Sequence, residues 1–110
     1  MLENTYTLEN GIKIPKLGLG TWFIDDSKVA EAVREAVKIG YRMMDTAQAY
    51  GNERGVGEGV RTCEIPREDL FVVSKVAAEH KTYEQAMAGM DEILKKMELY
   101  YQDFCRVFAF

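Results

Sequence analysis

Cysteine, proline and histidine are scarce in this chain of 110 residues, which holds two, two and one of them. Cys63 and Cys105 stand 42 positions apart and form no C-x-x-C pair. Neither a disulfide framework nor a zinc site is indicated, and a reducing compartment suits them. With His80 as the single histidine, a metal site would have to rest on carboxylates, and no D-x-D-x-D-G calcium loop occurs; no metal is expected. A basic excess is also missing: 14 Lys plus Arg against 18 Asp plus Glu leave a net charge of −4. That gives no footprint for neutralising phosphates, so nucleic acid is not an expected partner. The chain opens on Glu3, Asn4 and Thr5 instead of a basic segment followed by an apolar run, and nowhere shows 18 consecutive apolar residues. The expectation is a cytoplasmic protein without membrane contact.

What is present is ordinary for a globular chain, 47% hydrophobic and 29% charged, with a length that suits one domain and excludes two. Asn10-Gly11 between the alternating segments 5–8 and 12–14 predicts a β-hairpin that Pro15 stops. Residues 17–22 read as a short buried strand. Asp25, Asp26 and Ser27 offer N-caps for a helix over 28–39, with Val29, Val33, Ala36 and Val37 at helical spacing and Gly40 at its end. Residues 41–45 read as a strand. Asn52 is placed to cap a second helix reaching Thr62, although Gly55, Gly57 and Gly59 each cost it up to ~1 kcal/mol relative to Ala, so packing must hold it. Phe71-Val72-Val73-Ser74 is a buried strand, Thr82 and Gln85 form a capping box before a third helix, and the tail from Asp103 supplies a fourth strand. A hairpin followed by β-α-β-α-β-α-β predicts parallel strands with right-handed crossovers, in an open doubly wound sheet or in part of a barrel.

Gly18-Leu19-Gly20-Thr21-Trp22-Phe23 starts like a dinucleotide fingerprint, but Phe23 stands where the third glycine belongs and the helix begins too late to offer its N-terminus to a pyrophosphate. The Rossmann reading is rejected. His80 sits in a polar loop, where a lone histidine is more often solvated than catalytic. The informative stretch is Asp45-Thr46-Ala47-Gln48-Ala49-Tyr50-Gly51-Asn52-Glu53, continuing to Val56-Gly57-Glu58. Together with Ile14-Pro15-Lys16-Leu17-Gly18-Leu19-Gly20-Thr21-Trp22 and Ser74-Lys75-Val76, in this order and at these separations, it resembles the aldo-keto reductases over about residues 6–97.

The resemblance implies a (β/α)₈ TIM-type barrel, of which this chain supplies the hairpin and about four βα units as a single partial domain over residues 1–110. It implies reduction of a carbonyl compound by hydride from NADPH, with Tyr50 as proton donor. Gly20, Thr21 and Asp45 are expected near the cofactor, and Trp22 with Tyr50 beside the small-molecule carbonyl substrate. The side-chain chemistry is consistent with this. A tyrosine, with an ordinary pKa of ~10, donates poorly at neutral pH unless a cation such as Lys75 stabilises its anion, and Asp45 would keep that lysine charged. If Asp45 and Lys75 end adjacent parallel strands, all three gather at the C-terminal face, where such barrels place their sites. A buried Asp45–Lys75 pair that merely holds strand ends together is the bland alternative.

Residues 98–110 diverge from the family pattern. Phe108 stands where the family has its fourth catalytic group, a histidine, and cannot hydrogen-bond a carbonyl, so ~2.7 to 4 kcal/mol of oxyanion stabilisation would be absent if that donor resembles others of its kind. Arg106 puts a charge in a strand expected to be covered on both faces. Glu98 replaces the glycine that usually ends the preceding helix. A frameshift, a truncated gene or an engineered fragment would give such a tail. A complete barrel needs ~250 residues, so the terminal strands are expected to be open edges prone to self-association. Two readings from other classes stay beside this one: a non-catalytic half-barrel interaction module, and an open flavodoxin-like sheet. The flavodoxin-like sheet would leave the Tyr50, Lys75 and Asp45 motif unexplained. The substrate-setting loops lie mostly beyond residue 110, and Ala77, where many members carry tryptophan, hints at a roomier pocket.

Overall fold

A computed structural model describes residues 5–76, 82–99, 101–102 and 104–107. Strand β1 (Thr5–Thr7) pairs antiparallel with β2 (Lys13–Pro15), Tyr6 opposite Ile14. Gly11 takes φ 85° at the reversal, and the Asn10 side chain accepts from the Ile12 N–H at 3.1 Å. These are the turn roles that an Asn-Gly pair fills at low steric cost. Pro15 is the last paired residue of β2, opposite Thr5, and does not stop the hairpin ahead of itself. An outer strand has a side on which the missing N–H goes unused.

Next comes β3 (Leu19–Gly20), shorter than the six residues expected. Helix α1 runs Asp26–Ile39, from two residues before the expected start, and is closed by Gly40 at φ 123°, whose N–H reaches Ala36 and Val37 carbonyls. Strand β4 (Met43–Asp45), helix α2 (Glu53–Thr62), strand β5 (Phe71–Val76), helix α3 (Tyr83–Met97) and strand β6 (Phe104–Val107) follow. The Thr82–Gln85 capping box is present, each side chain bonding the other's backbone N–H. Glu98 ends α3 in the left-handed region at φ 54°. A non-glycine residue there costs about 1–2 kcal/mol, and its carboxylate meets Arg61, whose Nε also donates to Met97 O at 3.1 Å. Arg106 and Phe104 lie on the β6 backbone; Ala77, His80, Asp103 and Phe108 fall outside the described residues.

The four strands β3-β4-β5-β6 lie side by side in chain order and all parallel. A doubly wound sheet reverses its strand order once and so places helices on both faces. Without a reversal, right-handed crossovers put every helix on one face, and α1 packs on α2 and α2 on α3. The flavodoxin-like alternative is thereby removed, and the sheet is a singly wound, four-stranded part of a barrel wall. Leu19, Met44, Val72 and Val76 join Val29, Val33, Val56, Val60, Ile93 and Met97 in the helix-side core. Strand alternation then turns Gly18, Gly20, Met43, Asp45, Val73 and Lys75 to the other, concave face. A Cβ on Gly18 would collide with the Met43 side chain, so that glycine relieves crowding, whereas Gly20 has open space where a side chain would stand.

The glycines of α2 explain how a poor helix former holds. A Cβ at Gly55 would meet Asp26 O at 2.5 Å, one at Gly59 would meet Val33 Cβ at 2.6 Å, and one at Gly57 would run into the Met97 backbone. Their absence lets α2 settle directly against α1 and the end of α3, and the burial gained outweighs the helix-propensity cost.

Candidate active site

Parallel register decides which side chains meet. Val73 is the β5 neighbour of Asp45, and Lys75, two residues beyond Val73, points to the same face and reaches back. Its ammonium pairs with the Asp45 carboxylate and donates to Thr46 O at 2.8 Å. Lys75 is 7% exposed; a buried cation needs such partners, since an unpaired one costs several kcal/mol. Tyr50 lies in the 3-10 turn Gln48–Tyr50 that follows β4, and Gly51 at φ 70° leads the chain out of it. The Lys75 nitrogen sits 5.0 Å from the centroid of the Tyr50 ring. Trp22, in the loop after β3, stacks on Tyr50 at 6.4 Å between centroids and on Phe23 at 4.4 Å. Asp45, Tyr50, Lys75 and Trp22 therefore gather at the C-terminal ends of β3, β4 and β5. Beside them, a cleft of about 320 Å³ is lined by residues that include Trp22, Phe23, Ala49, Tyr50 and Gly51.

Thr21 is placed differently. It is fully buried, and its hydroxyl donates to Asp45 O at 2.9 Å while its N–H donates to the same oxygen at 3.2 Å. Its side chain ties β3 to β4; Gly20, exposed and open, is the position beside it where another molecule can approach the backbone.

Sequence reasoning missed the buried polar frame behind these residues. Asn52 occupies the N-cap of α2 but makes no side-chain cap bond. Its amide nitrogen donates to Thr21 O at 2.8 Å and Ile24 O at 3.0 Å, and its oxygen accepts from Thr46 Oγ1 at 2.7 Å. One side chain thus grips both ends of the Trp22-Phe23 loop and the end of β4. Its N-cap position drew attention to it, but the type of cap was misleading: an Asn there signals a cap in most chains. Glu53, 2% exposed, accepts from Ser74 Oγ at 2.9 Å and so joins α2 to β5 next to Lys75. Burial raises the Glu53 carboxyl above its ordinary range, against the opposing pull of Ser74 and Lys96 and with Glu92 adding to the rise. At the α1 start, burial pushes Asp26 upward, but the bonds from Arg54 and the Gly55 N–H outweigh it and hold the carboxyl below its usual range. Among the described residues no group of three His, Cys, Asp or Glu side chains is arranged to hold a metal ion. No helix among them is long and apolar enough to cross a membrane.

Comparison with known proteins bears on the family and the fold. Glyoxal reductase of Bacillus subtilis is 41% identical over 103 residues, 93% of this chain and 37% of that protein. NADPH-dependent D-xylose reductase of Candida boidinii is 40% identical over 101 residues, 88% of this chain and 32% of that protein. The crystal structure of an aldo/keto reductase from Brucella melitensis superposes with a TM-score of 0.90 at 39% identity, covering 94% of this chain and 40% of that one. The chain thus spans about a third of the length of these curated relatives. Residues 16–107 match the model of the aldo/keto reductase family, and with the parallel half-barrel and the clustered Asp45, Tyr50, Lys75 and Trp22 this establishes that the chain belongs to that family.

Proposed function

We propose that this chain carries the proton-donating half of an NADPH-dependent reductase that converts aldehydes or ketones to alcohols. The observation that carries the reading is the buried Lys75 ammonium held by Asp45 and Thr46 O beside the Tyr50 ring. The nicotinamide supplies the hydride when it is bound. Gly20, whose missing side chain leaves open space, and the face at Asp45 fit the nicotinamide end of such a cofactor. Tyr50 holds the proton that the developing alkoxide needs, and Lys75 stabilises the phenolate left behind by Coulombic attraction that burial strengthens. Asp45 fixes the lysine head. Trp22, 65% exposed, gives the carbonyl compound an apolar wall. Thr21 acts through Asp45 O, as a residue that positions the strand end. A cytoplasmic setting suits the unpaired Cys63.

The test is to mix the chain with NADPH and 4-nitrobenzaldehyde and follow NADPH oxidation. Slow turnover that Tyr50→Phe abolishes supports the reading. No change in NADPH fluorescence on mixing, with no turnover, rejects it in favour of a non-catalytic half-barrel. That second reading draws on one observation: among the described residues nothing pairs with the outer edge of β3 or β6.

A further inference from the structure

We infer that Phe23 is a specificity-determining residue of this site, holding a flat or aromatic substituent of the carbonyl compound beyond the reach of Trp22. The inference rests on the reductase reading and adds a residue and a substrate class to it. Two independent features single Phe23 out. The residue is 85% exposed, the most open large apolar one among the described residues, beside a Trp22 that is itself 65% exposed. Its backbone adopts φ 69°, in the left-handed region that bulky residues avoid. The reason is a tight turn: Ile24 N–H donates to Thr21 O at 3.1 Å. Phe23 fills the third position, which turns requiring positive φ there give to glycine or asparagine. Asn52 clamps the two ends of this turn through Thr21 O and Ile24 O.

A phenylalanine kept in a glycine position, with its ring in solvent, contributes little to the fold. Strained residues of this kind cluster at binding sites. The ring does have a direction. Phe23 stacks on Trp22, Trp22 stacks on Tyr50, and the Lys75 ammonium sits by Tyr50. The three rings form a ladder leading outward from the proton donor, and they line one side of a cleft of about 320 Å³, a size for a small molecule, whose other lining includes Asp25 and Asp26. A carbonyl held at Tyr50 with a short unbranched tail ends at Trp22; one with a ring two or three carbons away reaches Phe23.

Trp22 is the one tryptophan of the chain, so its fluorescence reports ligand binding without turnover. The probes are 3-phenylpropanal and propanal, each titrated with NADP⁺ present, which has no hydride to give, against wild type, Phe23→Asn and Phe23→Tyr. Asn tolerates positive φ and lacks the ring; Tyr keeps the ring. Phe23→Asn is expected to cut the preference for 3-phenylpropanal over propanal by about three- to tenfold, the range of one aromatic contact. Phe23→Tyr should restore it, and the thermal midpoint of Phe23→Asn should equal or exceed that of wild type. An unchanged preference overturns the inference, as does a wild type that does not distinguish the two aldehydes. A midpoint lowered by several degrees would make the ring structural and also overturn it. A weakened NADPH affinity with the aldehyde preference intact would assign the ring to the dinucleotide and reject this role. NADPH oxidation is followed separately: a ring preference that depends on Phe23 without oxidation sinks the reductase reading and leaves the binding role standing.

Discussion

Replacing Asn52 by Asp should damage this protein more than replacing it by Ala, although Asp is as good a helix N-cap as Asn. The Asn52 side chain makes three hydrogen bonds, two buried and the one to Ile24 O part-buried, and no cap bond. The Asn52→Ala change removes all three and leaves Ile24 O and the Thr46 hydroxyl without those partners; Thr21 O keeps the Ile24 N–H. At about 1 kcal/mol for the bond to Thr21 O and about 1–3 kcal/mol for each of the two groups left unsatisfied, the cost is roughly 3–7 kcal/mol. The Asn52→Asp change retains an acceptor for Thr46 but sets a carboxylate oxygen against the Thr21 and Ile24 carbonyls, an unpaired charge in a buried place, and so adds to that cost. A chain of this size has only about 5–15 kcal/mol in total. Both variants should therefore unfold at much lower urea, Asn52→Asp lowest, by far-ultraviolet circular dichroism at neutral pH. An Asn52→Asp protein as stable as wild type, or more stable than Asn52→Ala, would show that the residue acts as an ordinary cap and that the three-bond clamp does not hold the Trp22 loop.

Gly57→Ala should destabilise by about 1–3 kcal/mol in the same assay, because a collision with the Met97 backbone exceeds the gain of up to ~1 kcal/mol in helix propensity; a stabilised variant would refute the close α2–α3 approach. Glu53 binds its proton more tightly folded than unfolded, so its contribution falls as pH rises from the ordinary carboxylate range through the raised folded value and is flat above it. Glu53→Gln should remove that slope and be the more stable protein at neutral pH, a result read from urea midpoints across pH. Asp26 has the opposite sign: its stabilisation is present above the ordinary carboxylate range and lost as pH falls through the lowered folded value, and Asp26→Asn should flatten the acid limb. In size-exclusion chromatography with light scattering the chain should appear larger than its 12.5 kDa monomer, since parallel strand edges at β3 and β6 invite pairing; a monodisperse monomer with a cooperative melt would contradict this.

Local signals were legible because they act over a few residues. The Asn10-Gly11 hairpin, the Gly40 stop and the Thr82–Gln85 box are set by dihedral preference and short-range hydrogen bonds, and each lies where the sequence puts it. Element ends were less legible. Strand β3 is two residues long: the Thr21 N–H still completes the ladder to Asp45 O, but the Thr21 carbonyl accepts from the Ile24 N–H and from Asn52, 31 positions away, and so leaves the sheet for the turn at Phe23.

The sequence alone determined the alternation of strands and helices, the family likeness and the identity of the four side chains grouped at the site, because hydrophobic period and motif spacing are properties of the chain itself. Only the tertiary structure decided between an open sheet and a barrel wall, since that depends on strand order and on which face the helices take. It likewise decided that Thr21 and Asn52 turn inward as a frame while Trp22 and Phe23 turn outward. Those directions follow from register between strands and from the close seat of α2 against α1, neither of which exists until the chain has folded.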